Sequence, residues 1–274
     1  MNVRQLSFTA GLICGPILGS GLAPAGTAAI FSVSLLITAA ALCCAILLPE
    51  TLQRAGRSDD GPRAGTGLAG IPIVLLVGCL LVNIAFTLVN SSLPLILQQR
   101  YGDALPGTVA TALASASHTR GVTLTAYVVS SSSIVAFAIQ STAGTAIVSR
   151  VPSRLSLTFI LVCWAIAYAT VPILQSVGFG AFWPSVLVTG CLYGLYFPVL
   201  ATAVSLSADA GRQGQAFGFM EAAIYLGLTV APIGSGALAV LDPGLPYYAG
   251  AAFLIAALVV SRRTGAERAS TVQP

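Results

Sequence analysis

Charged residues are scarce in this chain of 274 residues, at 7% of the sequence, and lysine is absent. Soluble domains contain about 25% charged residues, so this deficit excludes an ordinary soluble protein. The twelve basic residues are all arginine, and the net charge is +4. These arginines lie mostly in short gaps between apolar runs, where basic residues set the orientation of a membrane protein. The positive charge therefore does not indicate nucleic-acid binding, and we expect the lipid bilayer as a partner.

Patterns typical of catalysis and cofactor binding are also lacking. The chain has one histidine, His118, and its six cysteines fall within apolar runs without metal-ligand spacing. We find no nucleophile–base pair, phosphate-binding loop or metal cluster in the sequence. The sequence therefore predicts neither an enzyme nor a cofactor, and we interpret the cysteines as small buried hydrophobic residues.

Long apolar runs dominate the sequence, in which 56% of the residues are hydrophobic and the mean hydropathy is +0.92. A bilayer-spanning helix needs about 20 mostly apolar residues. We therefore predict an all-α, polytopic membrane helix bundle with about eight spans: Leu6–Ala23, Ala28–Leu48, Ile71–Leu97, Val122–Val148, Leu155–Leu174, Phe182–Leu206, Gln213–Val240 and Tyr247–Val260. The first run also resembles a cleavable signal peptide, because Arg4 precedes it and small residues follow near Ala25. Pro16 and several glycines interrupt that run and favour a retained helix.

The arginines divide unequally between the two sides of such a bundle. If the amino terminus is cytoplasmic, one side holds ten of them and the other holds only Arg100 and Arg120. Basic residues collect on the cytoplasmic side of membrane proteins. We therefore expect an integral protein of the plasma (inner) membrane with both termini in the cytoplasm.

A short motif occurs near both ends of the chain. Gly11–Gly21 reads GLICGPILGSG, and Gly227–Gly236 reads GLTVAPIGSG. Small residues spaced four apart let membrane helices approach closely, and proline bends a helix. We predict a helix-packing motif formed by Gly11, Gly15, Pro16, Gly19, Gly227 and Pro232. The alternative is coincidence, since Gly, Ala and Pro are common in membrane helices.

The first copy of this motif also carries a resemblance to a known family. Gly11, Gly15, Pro16 and Gly19 resemble the fifth-helix motif of drug or metabolite exporters in the major facilitator superfamily. Leu48–Thr51 is similar to the end of the sixth helix in that family. Tyr193–Leu200 and Gly211–Gly236 resemble its tenth and eleventh helices.

A cytoplasmic loop adds to this resemblance. Arg150 and Arg154 lie in the turn Ser149–Arg154, which resembles the loop after the eighth helix of the family. Ser149 replaces the usual Asp of that loop, and Pro152 replaces its usual Gly. This departure puts the gating ion pair of the family in doubt.

The resemblance implies a partial version of a fold that normally has twelve helices in two halves. Residues 1–50 would then be the last two helices of an incomplete amino-terminal half, and residues 51–70 a cytoplasmic linker. Residues 71–261 would form the six-helix carboxy-terminal half, and residues 262–274 a cytoplasmic tail. The first four helices of the family are apparently lacking.

Glu221 is the only acidic residue that falls well inside a predicted span. Ionisable groups at membrane depth are costly and often mark function. Tyr225 follows one helical turn later, on the same face. We predict that Glu221, with Tyr225, carries a proton that is coupled to transport. The alternative is a structural Glu221 that pairs with Arg212.

Polar and aromatic residues on several spans are candidates for a substrate pathway. Asn83, Thr87 and Asn90 form one polar stripe along the third span, which lines the central cavity in the resembled family. Interhelical hydrogen bonding explains this stripe equally well. Further pathway candidates on other spans are Tyr127, Gln140, Tyr193 and Tyr196. Trp183 and Tyr247 lie at helix ends, where interfacial anchoring is the better explanation.

These observations predict a secondary active transporter of a small molecule, with proton-coupled export as the expected mode. A small-molecule substrate and a proton are the expected partners, together with the bilayer. The alternative is a truncated membrane protein that does not transport, or a subunit completed by a second chain or copy. The sequence does not specify the substrate, the coupling ion or the oligomeric state.

Overall fold

The computed structural model describes residues 3–22, 25–47, 73–101, 117–208 and 212–270. This part of the chain contains nine helices and no strand. Their bounds are α1 Val3–Leu22, α2 Thr27–Leu47, α3 Ile73–Tyr101, α4 Ser117–Ser141, α5 Ala143–Arg150, α6 Ser153–Val177, α7 Phe179–Ser207, α8 Gln213–Leu241 and α9 Leu245–Ser270. The predicted all-α helix bundle is confirmed. The predicted linker at residues 51–70 lies outside the described residues.

Among the described residues, six helices are long and apolar enough to cross a membrane, and the sequence predicted about eight spans in all. These six are α3, α4, α6, α7, α8 and α9. α2 is 21 residues long, and its described apolar stretch is Ala28–Cys43. α1 is 20 residues long and contains Pro16. The predicted crossing of the membrane by α1 and α2 stays a prediction.

One predicted span is divided in two. The run Val122–Val148 breaks at Thr142, which separates α4 from α5. The hydroxyls of Ser141 and Thr142 both donate to carbonyls of the preceding turn, including that of Ala138 at 3.1 and 2.7 Å. Such bonds compete with backbone pairing and favour a helix end.

Five helices form a closed ring around an aromatic core. α3 contacts α9, α9 contacts α6, α6 contacts α7, α7 contacts α4, and α4 contacts α3. α8 packs along the outer side of this ring against α3, and α1 packs against α4. The largest side chains that are fully buried come from the ring: Trp164, Tyr168, Tyr196, Tyr247 and Phe182.

The outer surface of the bundle carries large apolar side chains. Phe31 is 74% exposed, Phe159 68% and Ile233 81%. Such side chains would be unfavourable in water and suit contact with lipid. The surface therefore agrees with the length and composition of the spans.

Candidate functional site

A cavity of about 230 Å³ lies within the ring of helices. Side chains from α3, α4, α6, α7, α8 and α9 line it. Its described lining consists of Phe86, Thr87, Val89, Asn90, Leu93, Val129, Ser132, Ser133, Ala136, Tyr168, Val186, Thr189, Gly190, Tyr193, Leu228 and Tyr247. Among these residues there is no acidic, basic or histidine side chain. The cavity is therefore suited to an uncharged molecule.

Aromatic rings form much of the cavity wall. Phe86 and Tyr193 stack at a centroid distance of 3.9 Å, with an angle of 13° between the rings. Tyr168 and Tyr247 meet edge to face at 6.0 Å. Trp164 packs behind them, 5.9 Å from both Tyr168 and Tyr193. These contacts fix the rings and give the cavity a rigid wall.

The polar stripe of α3 divides between two environments. Thr87 and Asn90 line the cavity. Asn83 is buried against α8, and its side-chain amide donates to the Cys79 carbonyl oxygen at 2.8 Å. The Asn90 amide donates to the Phe86 carbonyl oxygen, also at 2.8 Å. The stripe thus includes both a packing residue and two cavity residues.

Glu221 is half-buried on the face of α8 that turns toward α3 and α7. Its carboxylate is close enough to Cys79 and Tyr193 to interact electrostatically with both. Leu228 lies seven residues further along α8, on the same face and about 10 Å away, and it lines the cavity. Tyr193 lines the cavity and lies within electrostatic range of the same carboxylate.

Comparison with known proteins gives the family. A family model described as Major Facilitator Superfamily matches residues 1–232. The chain belongs to this superfamily. It is an integral membrane protein and a transporter of the superfamily. No curated protein matches its sequence.

The superfamily's repeated glycine motif has different surroundings in its two copies. At Gly227 a Cβ atom would lie 2.8 Å from the Cβ of Asn83 and 3.1 Å from the Ile84 nitrogen, so α8 and α3 approach closely here. At Gly11, Gly15 and Gly19 a Cβ would meet nothing within 4 Å. The predicted close approach at these three glycines of α1 is therefore not present among the described residues, because no neighbouring helix covers that face.

The prolines of the predicted motifs lie inside helices, and the two arginines lie at an exposed turn. Pro16 lies inside α1 and Pro232 inside α8, and both helices continue through them. Arg150 ends α5, and Arg154 lies in the first turn of α6. Both arginine side chains are exposed at the same turn.

The remaining pathway candidates do not line the cavity. Tyr127 is 62% exposed on α4, and Gln140 is buried in the last turn of that helix. Tyr196 is buried against Trp164, with ring centroids 6.0 Å apart. Tyr225, predicted to act with Glu221, is 54% exposed. It turns outward because a four-residue step advances about 40° around the helix.

Three features of this superfamily member were missed at the level of sequence. Tyr247 is a cavity residue that is only 1% exposed, so its interpretation as an interfacial anchor was wrong. Cys14 and Cys43 are exposed, although the cysteines were predicted to be buried. A close helix contact was also missed, formed by Gly190 and Gly194 on α7 against Ser132 and Ala136 on α4.

The α4–α7 contact had a signal in the sequence. Gly190 and Gly194 form a GxxxG pattern, and a Cβ at Gly194 would lie 2.9 Å from the Ala136 Cα. The serine run on α4 then serves several neighbours: Ser130 donates to the Ile13 carbonyl oxygen of α1 at 3.0 Å, and Ser131 accepts from the Trp183 indole at 2.9 Å. The hydrogen-bond partner of each serine depends on which helix packs beside it, and the sequence alone does not specify that helix.

Proposed function

We propose that this superfamily member is a proton-coupled exporter of a small, partly apolar molecule across the plasma (inner) membrane. The observation that carries this proposal is the position of Glu221, half-buried on α8 on the face that also reaches the cavity. In this proposal the cavity holds substrate during part of the transport cycle, and Glu221 binds and releases the coupled proton.

The proton role follows from the cost of charge at membrane depth. A carboxylate is favoured as the charged form in contact with water and as the neutral form in an apolar surrounding. Movement of α8 relative to α3 and α7 would alternate these surroundings. Tyr193 would be exposed to this change, because it lines the cavity and lies within electrostatic range of Glu221.

The direction of transport rests on the fifth-helix resemblance of α1. The resembled motif is typical of exporters, and a cytoplasmic position for both termini follows from the arginine distribution. We therefore propose that substrate enters from the cytoplasm and leaves on the outer side.

Reconstitution into vesicles with an imposed pH gradient tests this proposal. Glu221→Gln keeps the shape and hydrogen-bonding capacity of the side chain but exchanges no proton. We expect it to abolish gradient-driven flux while the folded yield stays near that of the parent protein. The control is Asp242→Asn, at an exposed acid in the turn between α8 and α9. Undiminished flux through Glu221→Gln would contradict the proton role.

A second candidate is a subunit that a second chain or copy completes. It is supported by the open faces of the two outer helices, where a Cβ at Gly15 of α1 or at Gly218 or Gly234 of α8 would meet nothing within 4 Å. Faces of small residues typically pack against another helix. Absence of flux in the folded parent protein, with flux restored by a co-expressed partner, would favour this candidate.

A further inference from the structure

We propose that the cavity within the ring of helices binds an uncharged, two-ring aromatic molecule that carries one hydroxyl or N–H group. This inference rests on the proposed function, because it names the class of molecule that the transporter would hold. It does not involve Glu221, which is outside the cavity lining.

The size of the cavity sets the number of rings. Its volume is about 230 Å³. An engineered apolar cavity of about 150 Å³ holds one benzene molecule. The additional space in this cavity accommodates a second fused ring.

The chemistry of the lining selects an uncharged aromatic molecule. The described lining offers four aromatic rings and several aliphatic side chains, and no acidic, basic or histidine partner for a charge. An unpaired charge is strongly disfavoured in such an environment. Offset or edge-to-face contacts with Tyr193, Tyr168 and Tyr247 would instead stabilise a flat ring system.

Two buried hydroxyls indicate where the polar group of the ligand would bind. Thr87 and Tyr247 both line the cavity, and they are 8% and 1% exposed. Thr87 Oγ1 and the Tyr247 hydroxyl are buried and have no hydrogen-bond partner among the described residues. The Thr189 hydroxyl of the same cavity, in contrast, donates to the Val186 carbonyl oxygen at 2.7 Å. Because buried polar groups are nearly always paired, a ligand group is the expected partner of one or both of these hydroxyls.

Direct binding of 2-naphthol to the purified full-length protein in detergent tests this inference. Equilibrium dialysis with radiolabelled 2-naphthol should show saturable binding. Naphthalene-2-carboxylate has the same rings but carries a negative charge at neutral pH, and it should bind at least tenfold more weakly. Equal binding of the two probes would overturn the uncharged class.

Two isosteric variants then locate the site. Tyr247→Phe and Thr87→Val should each weaken 2-naphthol binding about fivefold, which is the loss expected for one hydrogen bond. Their thermal midpoints should stay equal to or above that of the parent protein, because each change removes an unpaired buried oxygen. The control is Tyr248→Phe, which removes a hydroxyl from the neighbouring exposed tyrosine and should leave binding unchanged.

The outcomes separate this inference from the proposed function. Loss of proton-driven flux in Glu221→Gln with unchanged 2-naphthol binding supports both. Binding with the predicted variant pattern, in a protein without flux, supports the cavity assignment alone. No saturable binding, or equal affinity in Tyr247→Phe, Thr87→Val and Tyr248→Phe, overturns the cavity assignment and leaves the proton role of Glu221 intact.

Discussion

Tyr193 lines the cavity and lies within electrostatic range of the Glu221 carboxylate. Its ring stacks on Phe86 at 3.9 Å, which a phenylalanine would preserve. Tyr193→Phe therefore removes the hydroxyl without removing the cavity wall. We expect this change to reduce proton-driven flux about tenfold and to leave substrate exchange in the absence of a pH gradient near the parent rate.

The matched control for this prediction is Tyr225→Phe. Tyr225 is 54% exposed and lies on the outward side of α8. Its hydroxyl should be dispensable for flux in the same vesicle assay. Equal losses in the two variants, or a loss in Tyr225→Phe alone, would contradict the assignment of Tyr193 and favour the original pairing of Glu221 with Tyr225.

At this scale, helical periodicity predicted which residues share a face but not what that face meets. Thr87 and Asn90 were singled out by their spacing and line the cavity, whereas Asn83 on the same stripe packs against Gly227. Tyr247 lies near a helix end, and its position alone did not distinguish a lipid-facing anchor from a buried ring. That distinction depends on α6 and α9 packing together, which is a tertiary contact.

At the scale of helices, close contacts through glycine differ sharply from open glycine faces. A Cβ at Gly194 would collide with the Ala136 carbonyl oxygen and lie 2.9 Å from its Cα, whereas a Cβ at Gly234 would meet nothing within 4 Å. Gly194→Ala should therefore destabilise the protein by about 1–3 kcal/mol, since the backbone of α4 must move. Gly234→Ala should stabilise it by about 0.5–1 kcal/mol through helix propensity.

Thermal unfolding in one detergent measures this pair of alanine variants. The opposite signs are the essential result, because both changes add the same methyl group to a membrane helix. An unchanged midpoint for Gly194→Ala would show that α4 and α7 adjust without cost. Gly227→Ala should behave like Gly194→Ala, because its Cβ would lie 2.8 Å from that of Asn83.

The lengths and boundaries of the helices were largely predictable, because apolar runs bounded by polar residues specify them locally. α8 was expected at Gln213–Val240 and spans Gln213–Leu241. The partners of each helix were not predictable, since Gly227 of α8 packs tightly against α3, whereas a Cβ at Gly11 or Gly15 of α1 would meet nothing within 4 Å. Identical small residues do not specify which neighbour will cover them.

At the scale of the whole molecule, α8 carries Glu221 and also contributes Leu228 to the cavity wall. α8 contacts α3, α7 and α9, so it touches the helices that contribute Thr87, Tyr193 and Tyr247 to the cavity. A shift of α8 would thus change the surroundings of Glu221 and the cavity wall together. In the proposed function, this arrangement would supply a physical route by which proton binding and substrate binding influence each other.

The number of helices that cross the membrane depends on whether α1 and α2 both cross it. The six later helices cross the membrane an even number of times, so both ends of residues 73–262 lie on the same side. If α1 and α2 both cross, or if neither does, the amino terminus lies on that side as well. We expect both to cross, because the first motif and the following apolar run otherwise lie in water. Reporter fusions at Gly61, Pro152 and Gln273 should then report cytoplasm, and fusions at Pro106 and Asp242 the outer side. A fusion at Ala25, between α1 and α2, should also report the outer side. A cytoplasmic signal at Ala25 would reduce the bundle to six spans. A cytoplasmic signal at Pro106 would contradict the topology altogether.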